Sequence, residues 1–366
     1  MVAGERTRKR PDRVHAIQLL RFIAASVVAL VHQAFAFADH VGEGFGLAPP
    51  SDQWSQSAVA LFFIVSGYVM VISSRSLFGD LRGNRIFLTR RCVRILPPYW
   101  LATIGLVVLY LLLGTPVSGA DLLRSLALIP YWSEATPGWA LPMLWVGWTL
   151  FYEMVFYGLF SLGVPLGRPA AIGIASTGLV VLVAAGVVFS PQSAVLATLT
   201  RPVALIFILG MALALFRERG GALPSWLRAA LVLAAIPAFV LIPAPDPAQV
   251  LGFQYLAWAG MPAACLATAL LGGPLRLPAF ALIDRLGDIS YALYLLHVPV
   301  AVVWMWAFQK AFHPQGPWAL FITMVAATYI TSAIAFRLIE TPMTRWLNAR
   351  LLPAAKADDL LQQTGV

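Results

Sequence analysis

Residues 16–38 read AIQLLRFIAASVVALVHQAFAFA, an apolar run long enough to cross a bilayer as an α-helix. The run carries Arg21 near its start and His32 toward its far end. Eleven helical steps of about 100° return the chain to within roughly 20° of its starting direction. The two side chains therefore share one face, about 16 Å apart. An ionisable group in hydrocarbon costs several kcal/mol or more, so such groups turn toward a bundle interior and mark functional paths. The competing reading lets Arg21 snorkel to the headgroups and makes His32 a packed core residue.

The rest of the chain repeats this pattern. Of 366 residues, 60% are hydrophobic and 11% charged, with a mean hydropathy of +0.81. Soluble chains are about a quarter charged, so this composition excludes a soluble domain and indicates an all-α polytopic membrane protein. Ten spans are expected, at residues 16–38, 57–72, 95–113, 143–163, 170–189, 202–216, 225–242, 253–271, 289–308 and 318–339. The net charge of +9 does not imply nucleic acid, because the cations sit between apolar spans and serve topology. Loops with Arg75, Arg82, Arg85, Arg90, Arg91 and Arg94, then Arg168, then Arg217 and Arg219, then Arg276 and Arg285 place both termini in the cytoplasm. Two scattered cysteines, Cys92 and Cys265, make neither a disulfide framework nor a metal-ligand cluster, and no metal is expected. Residues 1–15 form a basic cytoplasmic arm, 16–342 the transmembrane domain, and 343–366 a cytoplasmic tail, polar and poorly ordered after Pro353. The first span exceeds a signal-peptide core and is expected to be retained. Residues 40–55 and 115–141 are the long outer segments, and their aromatics suit either sugar stacking or an interfacial belt.

Five stretches carry polar groups inside or at the edge of spans. SAVALFFIVSGYVM contains Ser66, Gly67 and Tyr68, which serve either close helix packing or the lining of a substrate path. FLTRRCVRILPPYW sets Arg91 and Arg94 on one helical face and then interrupts the helix at Pro97 and Pro98. Paired guanidinium groups at a membrane mouth suit phosphate capture, and a pure topology signal is the alternative. WVGWTLFYEMVFYGLF buries Glu153, with Trp148, Thr149 and Tyr152 on nearby turns able to shape a pocket; a structural ion pair with Arg21 competes. LGDISYALYLLHVPV gives a polar stripe of Ser290, Tyr294 and His297, followed by Pro299, which can open the helix. FRLIETPMTRW ends the last span with Arg337 and Glu340, where a local salt bridge is expected.

Together, and in this order, these strings resemble membrane acyltransferase family 3, particularly its exopolysaccharide-type members. Arg21 and His32 resemble its Arg-(ten residues)-His signature. FFIVSGYVM, RRCVRILPPYW, GWTLFYEMVFY, LGDISYALYLLH and IETP resemble its further blocks. The resemblance runs from Ala16 to Pro342, and the departure is Phe22, where many members have glycine. It implies an O-acyltransferase of the bacterial inner membrane. Such an enzyme moves an acyl group, usually acetyl, from cytoplasmic acetyl-CoA to a carbohydrate hydroxyl on the outer side. The acceptor would be a surface polysaccharide or lipid-linked glycan, with membrane lipids as surroundings. In that frame His32 is the general base, Arg21 orients a partner or steadies an oxyanion, and Glu153 orients His32 or Arg21. Arg91 and Arg94 hold the phosphates of CoA. Ser66, Tyr68, Trp148, Tyr152, Ser290, Tyr294 and His297 line the substrate path. Direct transfer and an acyl-histidine relay both remain open. The alternatives are a transporter or flippase for a lipid-linked glycan, an acyltransferase acting on a macrolide or other small glycoside, and a non-catalytic scaffold for polysaccharide assembly.

Overall fold

The computed structural model describes residues 12–41, 51–246, 251–274, 280–311 and 317–352. Residues 1–11 of the basic arm, 42–50 of the first outer segment and the tail from residue 353 lie outside the described residues. The chain is helical: α1 (Asp12–Val41), α2 (Gln53–Ser73), α3 (Gly83–Leu112), α4 (Gly119–Leu126), α5 (Trp148–Gly163), α6 (Arg168–Phe189), α7 (Ala194–Leu199) and α8 (Ile206–Glu218). There follow α9 (Ser225–Leu241), α10 (Phe253–Tyr255), α11 (Met261–Leu271), α12 (Phe280–Asp288), α13 (Ser290–Ala311), α14 (Pro317–Ala335) and α15 (Thr341–Leu351). Among the described residues, 9 helical stretches are long and apolar enough to cross a membrane. The expected span at 225–242 is the shorter α9, a 17-residue helix bounded by Pro224 and carrying Pro237 inside it.

Burial sorts the helices. α2, which has no charged residue along its length, is the most enclosed span, packed against α1, α8 and α11. Its approach to α8 rests on two glycines. A Cβ on Gly67 would overlap the Phe207 carbonyl oxygen, and one on Gly210 would overlap the Ile64 carbonyl oxygen. Small residues at such a crossing let backbones touch where lipid supplies no hydrophobic drive. α1 packs on α2, α12 and α13; α3 lies against α5 and α13; α6 covers α5 from outside.

The prolines do not break their helices as the sequence suggests. α3 runs unbroken through Pro97 and Pro98, and α13 through Pro299. Each proline forgoes only its own N–H bond, and neighbouring helices can satisfy the carbonyls exposed nearby. Beside the two prolines of α3 the Tyr291 hydroxyl donates to the Ile95 carbonyl at 2.8 Å, a cross-link from α13 to this part of α3. The last span likewise continues beyond residue 339. A π-helical turn, Phe336–Glu340, leads directly into α15, which carries Pro342 in its first turn. The expected tail thus begins as helix.

Contacts between loops show which connections share an end of the bundle. Glu218 pairs with Arg75 at 2.7 Å and also with Arg168, tying together the segments after α2, α5 and α8. At the other end the Trp132 indole donates to the Gln192 carbonyl, and Arg201 donates to the Gly138 carbonyl at 2.9 Å. These groupings follow the alternation on which the charge reading relies.

Candidate active site

The face of α1 that carries Arg21 and His32 meets α13 near one end and an inner cavity near the other. His32 Nδ1 lies 3.0 Å from His297 Nε2, with the rings 5.2 Å apart and inclined by 24°. A one-turn 3₁₀ segment, Trp145–Gly147, starts α5 and sets the Trp145 indole edge-on to His32, with ring centroids 4.5 Å apart. His297 is fully buried at 0% exposure, whereas His32 is only partly buried. Of the two rings, only that of His32 has exposed surface.

One helical turn deeper, α5 and α13 are pinned together. The Tyr294 hydroxyl donates to the Val146 carbonyl at 2.6 Å and lies 2.9 Å from Thr149 Oγ1. Beyond this pair opens a cavity of about 120 Å³. Three guanidinium groups, Arg21, Arg91 and Arg94, share its wall with the carboxyl of Glu153 and the hydroxyls of Ser66, Tyr157, Ser290, Tyr291 and Tyr294. Thr149, Glu153 and Tyr157 recur every four residues and give α5 one polar stripe along it.

The charged groups differ in how they are held. Arg91 donates to Ser73 Oγ at 2.6 Å and lies over the rings of Phe87 and Tyr157, 5.7 and 6.0 Å from their centroids. Arg21 makes a long contact, 3.4 Å, to Gln18 Oε1. Arg94 has no hydrogen-bond or ion-pair partner among the described residues. Glu153 faces the Ser66 and Tyr157 hydroxyls and the Arg91 and Arg21 guanidinium groups, without an ion pair inside 4 Å among the described residues. It stands two turns of α5, about 12 Å, from the Trp145 that touches His32, so its side chain does not reach the imidazole.

Sequence reasoning left the Ser66–Gly67–Tyr68 break undecided, and the structure divides it. Ser66 lines the cavity and lies 3.1 Å from the Tyr157 hydroxyl, Gly67 makes the α8 crossing, and Tyr68 is buried in the core. Ser290 and Tyr294 line the cavity. Trp148 and Tyr152 sit about 100° round α5 from Thr149 and Glu153 and pack around Phe63 instead. Phe22 packs edge-on against Tyr329 of α14 and is not part of the cavity wall. The expected local Arg337–Glu340 bridge is replaced by a different arrangement. The π turn leaves Arg337 exposed and carries Glu340 inward, 8% exposed, with Arg94 and Arg21 as its electrostatic neighbours. Trp145 and the inward Glu340 were missed from sequence. Trp145 hid in a run of aromatics, and a π turn leaves no local signature to read.

A family profile described as an acyltransferase domain matches residues 14–337. The chain is 33% identical over 312 residues, 82% of this chain and 93% of the relative, to the exopolysaccharide production protein ExoZ of Rhizobium meliloti strain 1021. No solved structure matches it.

Proposed function

The chain belongs to this acyltransferase family, and we propose that it is a membrane O-acetyltransferase acting on a surface polysaccharide or its lipid-linked precursor. The observation that carries the reading is the partly exposed His32, one turn beyond a cavity walled by three arginines. The exopolysaccharide relative supports the carbohydrate acceptor. The arginine-rich end of the bundle is the cytoplasmic end, and acetyl-CoA enters there. CoA is a polyanion, and the fit lies in the donor set. Among the described residues Arg94 has no hydrogen-bond or ion-pair partner and Arg91 Nε is buried without a hydrogen bond, and the single carboxylate on the wall leaves the cavity net positive. Arg91 and Arg94 hold phosphate oxygens, while Glu153 orients the Arg21 and Arg91 guanidinium groups.

The thioester then passes the Thr149–Tyr294 pair to reach His32. Neutral hydrogen bonds contribute about 0.5–1.5 kcal/mol each, so parting them is a small barrier. His32 Nε2 takes the proton of the acceptor hydroxyl as its oxygen bonds to the acetyl carbon. The C–S bond breaks, and the departing thiolate recovers that proton from His32. The products are an acetyl ester, free CoA thiol and neutral His32. General-base assistance of this kind contributes roughly 10²–10⁴-fold.

The test reconstitutes the protein in liposomes with labelled acetyl-CoA and polysaccharide from a strain lacking it. The intact protein should transfer label to glycan, and His32→Ala should abolish transfer while remaining folded in the membrane. Near wild-type acetylation by His32→Ala would refute the base assignment. Movement of lipid-linked glycan without any acetyl transfer would favour a flippase.

A further inference from the structure

We propose that His297 is the positioning residue of this site, fixing the tautomer and orientation of His32; this rests on the reading of His32 as the base. The tautomer follows from what each partner can do. His297 Nδ1 lies 3.2 Å from the Leu293 carbonyl oxygen, which can only accept. Nδ1 of a neutral His297 therefore carries the proton, and its Nε2 carries the lone pair. His32 Nδ1, 3.0 Å from that lone pair, must be the donor. The remaining nitrogen of His32, Nε2, is then the unprotonated one, on the ring that has exposed surface. The opposite assignment would set two lone pairs against each other at the Leu293 carbonyl. It would also leave His32 Nε2 protonated and unable to take a proton.

The orientation is fixed as firmly as the tautomer. His297 is fully buried, and one turn away Tyr294 is pinned to the Val146 carbonyl at the start of α5. The 3₁₀ turn that starts α5 also sets Trp145 against the His32 ring, with the indole in edge contact with His297 as well, 6.5 Å between centroids. His32 is thus held by a hydrogen bond on one side and by the indole on an adjacent one. The task resembles that of the carboxylate in a serine-protease triad, whose replacement by an amide that imposes the wrong tautomer lowers kcat by about 10⁴-fold. A neutral imidazole performs it here, so no net charge is buried beside the base.

Two substitutions separate positioning from packing. In His297→Asn the side-chain amide still reaches the Leu293 carbonyl but falls short of His32. In His297→Gln the amide oxygen reaches His32 Nδ1 as an acceptor. Steady-state acetyl transfer is measured for both in detergent, beside His32→Gln, with thermal unfolding to confirm folding. His297→Asn should lower kcat by on the order of 10²-fold, with the KM for acetyl-CoA within about threefold of wild type. His297→Gln should recover at least about tenfold of that loss. A folded His297→Asn with kcat within about threefold of wild type, or a His297→Gln no faster than His297→Asn, would overturn the positioning role while an inactive His32→Gln left the base reading standing. An active His32→Gln would overturn both.

Discussion

Arg91 and Arg94 lie three residues apart on one face of α3, yet the structure gives their loss different consequences. Arg94 has no hydrogen-bond or ion-pair partner among the described residues, so truncating it removes no such bond and takes away only a countercharge of the inward Glu340. Arg91→Ala deletes a charge-assisted bond to Ser73 Oγ and two cation–π contacts, over Phe87 and Tyr157. If both arginines hold CoA phosphates, each lost contact should weaken acetyl-CoA binding by about 1.5–3 kcal/mol. At 1.4 kcal/mol per decade this is roughly 10- to 150-fold in Kd. Stability should part the two variants. Arg91→Ala should lose roughly 2–4 kcal/mol of folding free energy, from about 1.5–3 for the bond and about 0.5–1 for the ring contacts. Arg94→Ala should lose less than Arg91→Ala, because no hydrogen bond goes with it and Arg21 remains as a countercharge beside the inward Glu340. Arg94→Lys should recover part of the affinity, since it keeps a charge and loses the planar fork. Calorimetric titration with acetyl-CoA in detergent and tryptophan-fluorescence unfolding provide both readings. An Arg94→Ala protein whose affinity stays within about threefold of wild type would refute phosphate capture by this face.

Gly67→Ala and Gly210→Ala should each destabilise the bundle by about 1–3 kcal/mol, because the new methyl meets backbone that cannot yield. Gly105→Ala, with open space at its Cβ, should be neutral or gain up to about 1 kcal/mol in helix propensity; thermal unfolding of the three variants checks the contrast. Glu153→Gln should lower kcat by on the order of tenfold without raising the KM for acetyl-CoA, since a positive cavity still attracts the donor while its guanidinium groups lose their orienting charge. A raised KM with unchanged kcat would assign Glu153 to donor binding instead. Trp145→Ala should lower kcat by up to about tenfold, the equivalent of an aromatic contact worth about 0.5–1.5 kcal/mol, and Trp145→Phe should retain most of the rate. Equal rates for Trp145→Ala and wild type in the transfer assay would remove Trp145 from the site.

The helices themselves are legible in the chain because their causes are local. Apolar length against bilayer thickness marks the spans, and the 3.6-residue period sets Arg21 with His32 and Ser290 with Tyr294 and His297 on shared faces. The alternation of basic loops groups the connections by end, as the Glu218 bridges also do. What the sequence left open depends on the rotation and depth of one helix against another. His32 and His297 are 265 positions apart, and no local pattern says that their faces meet. Ser66 and Gly67 are adjacent, yet one faces a cavity and the other a carbonyl of α8, because 100° of helix separates them. Glu340 turns toward Arg94 and Arg21 only because one π turn shifts its register. Pro97, Pro98 and Pro299 leave their helices intact because surrounding helices hold the backbone in place. Each of these outcomes is decided by the packing of the whole bundle, since a side chain finds its partner only once every helix has its angle and depth.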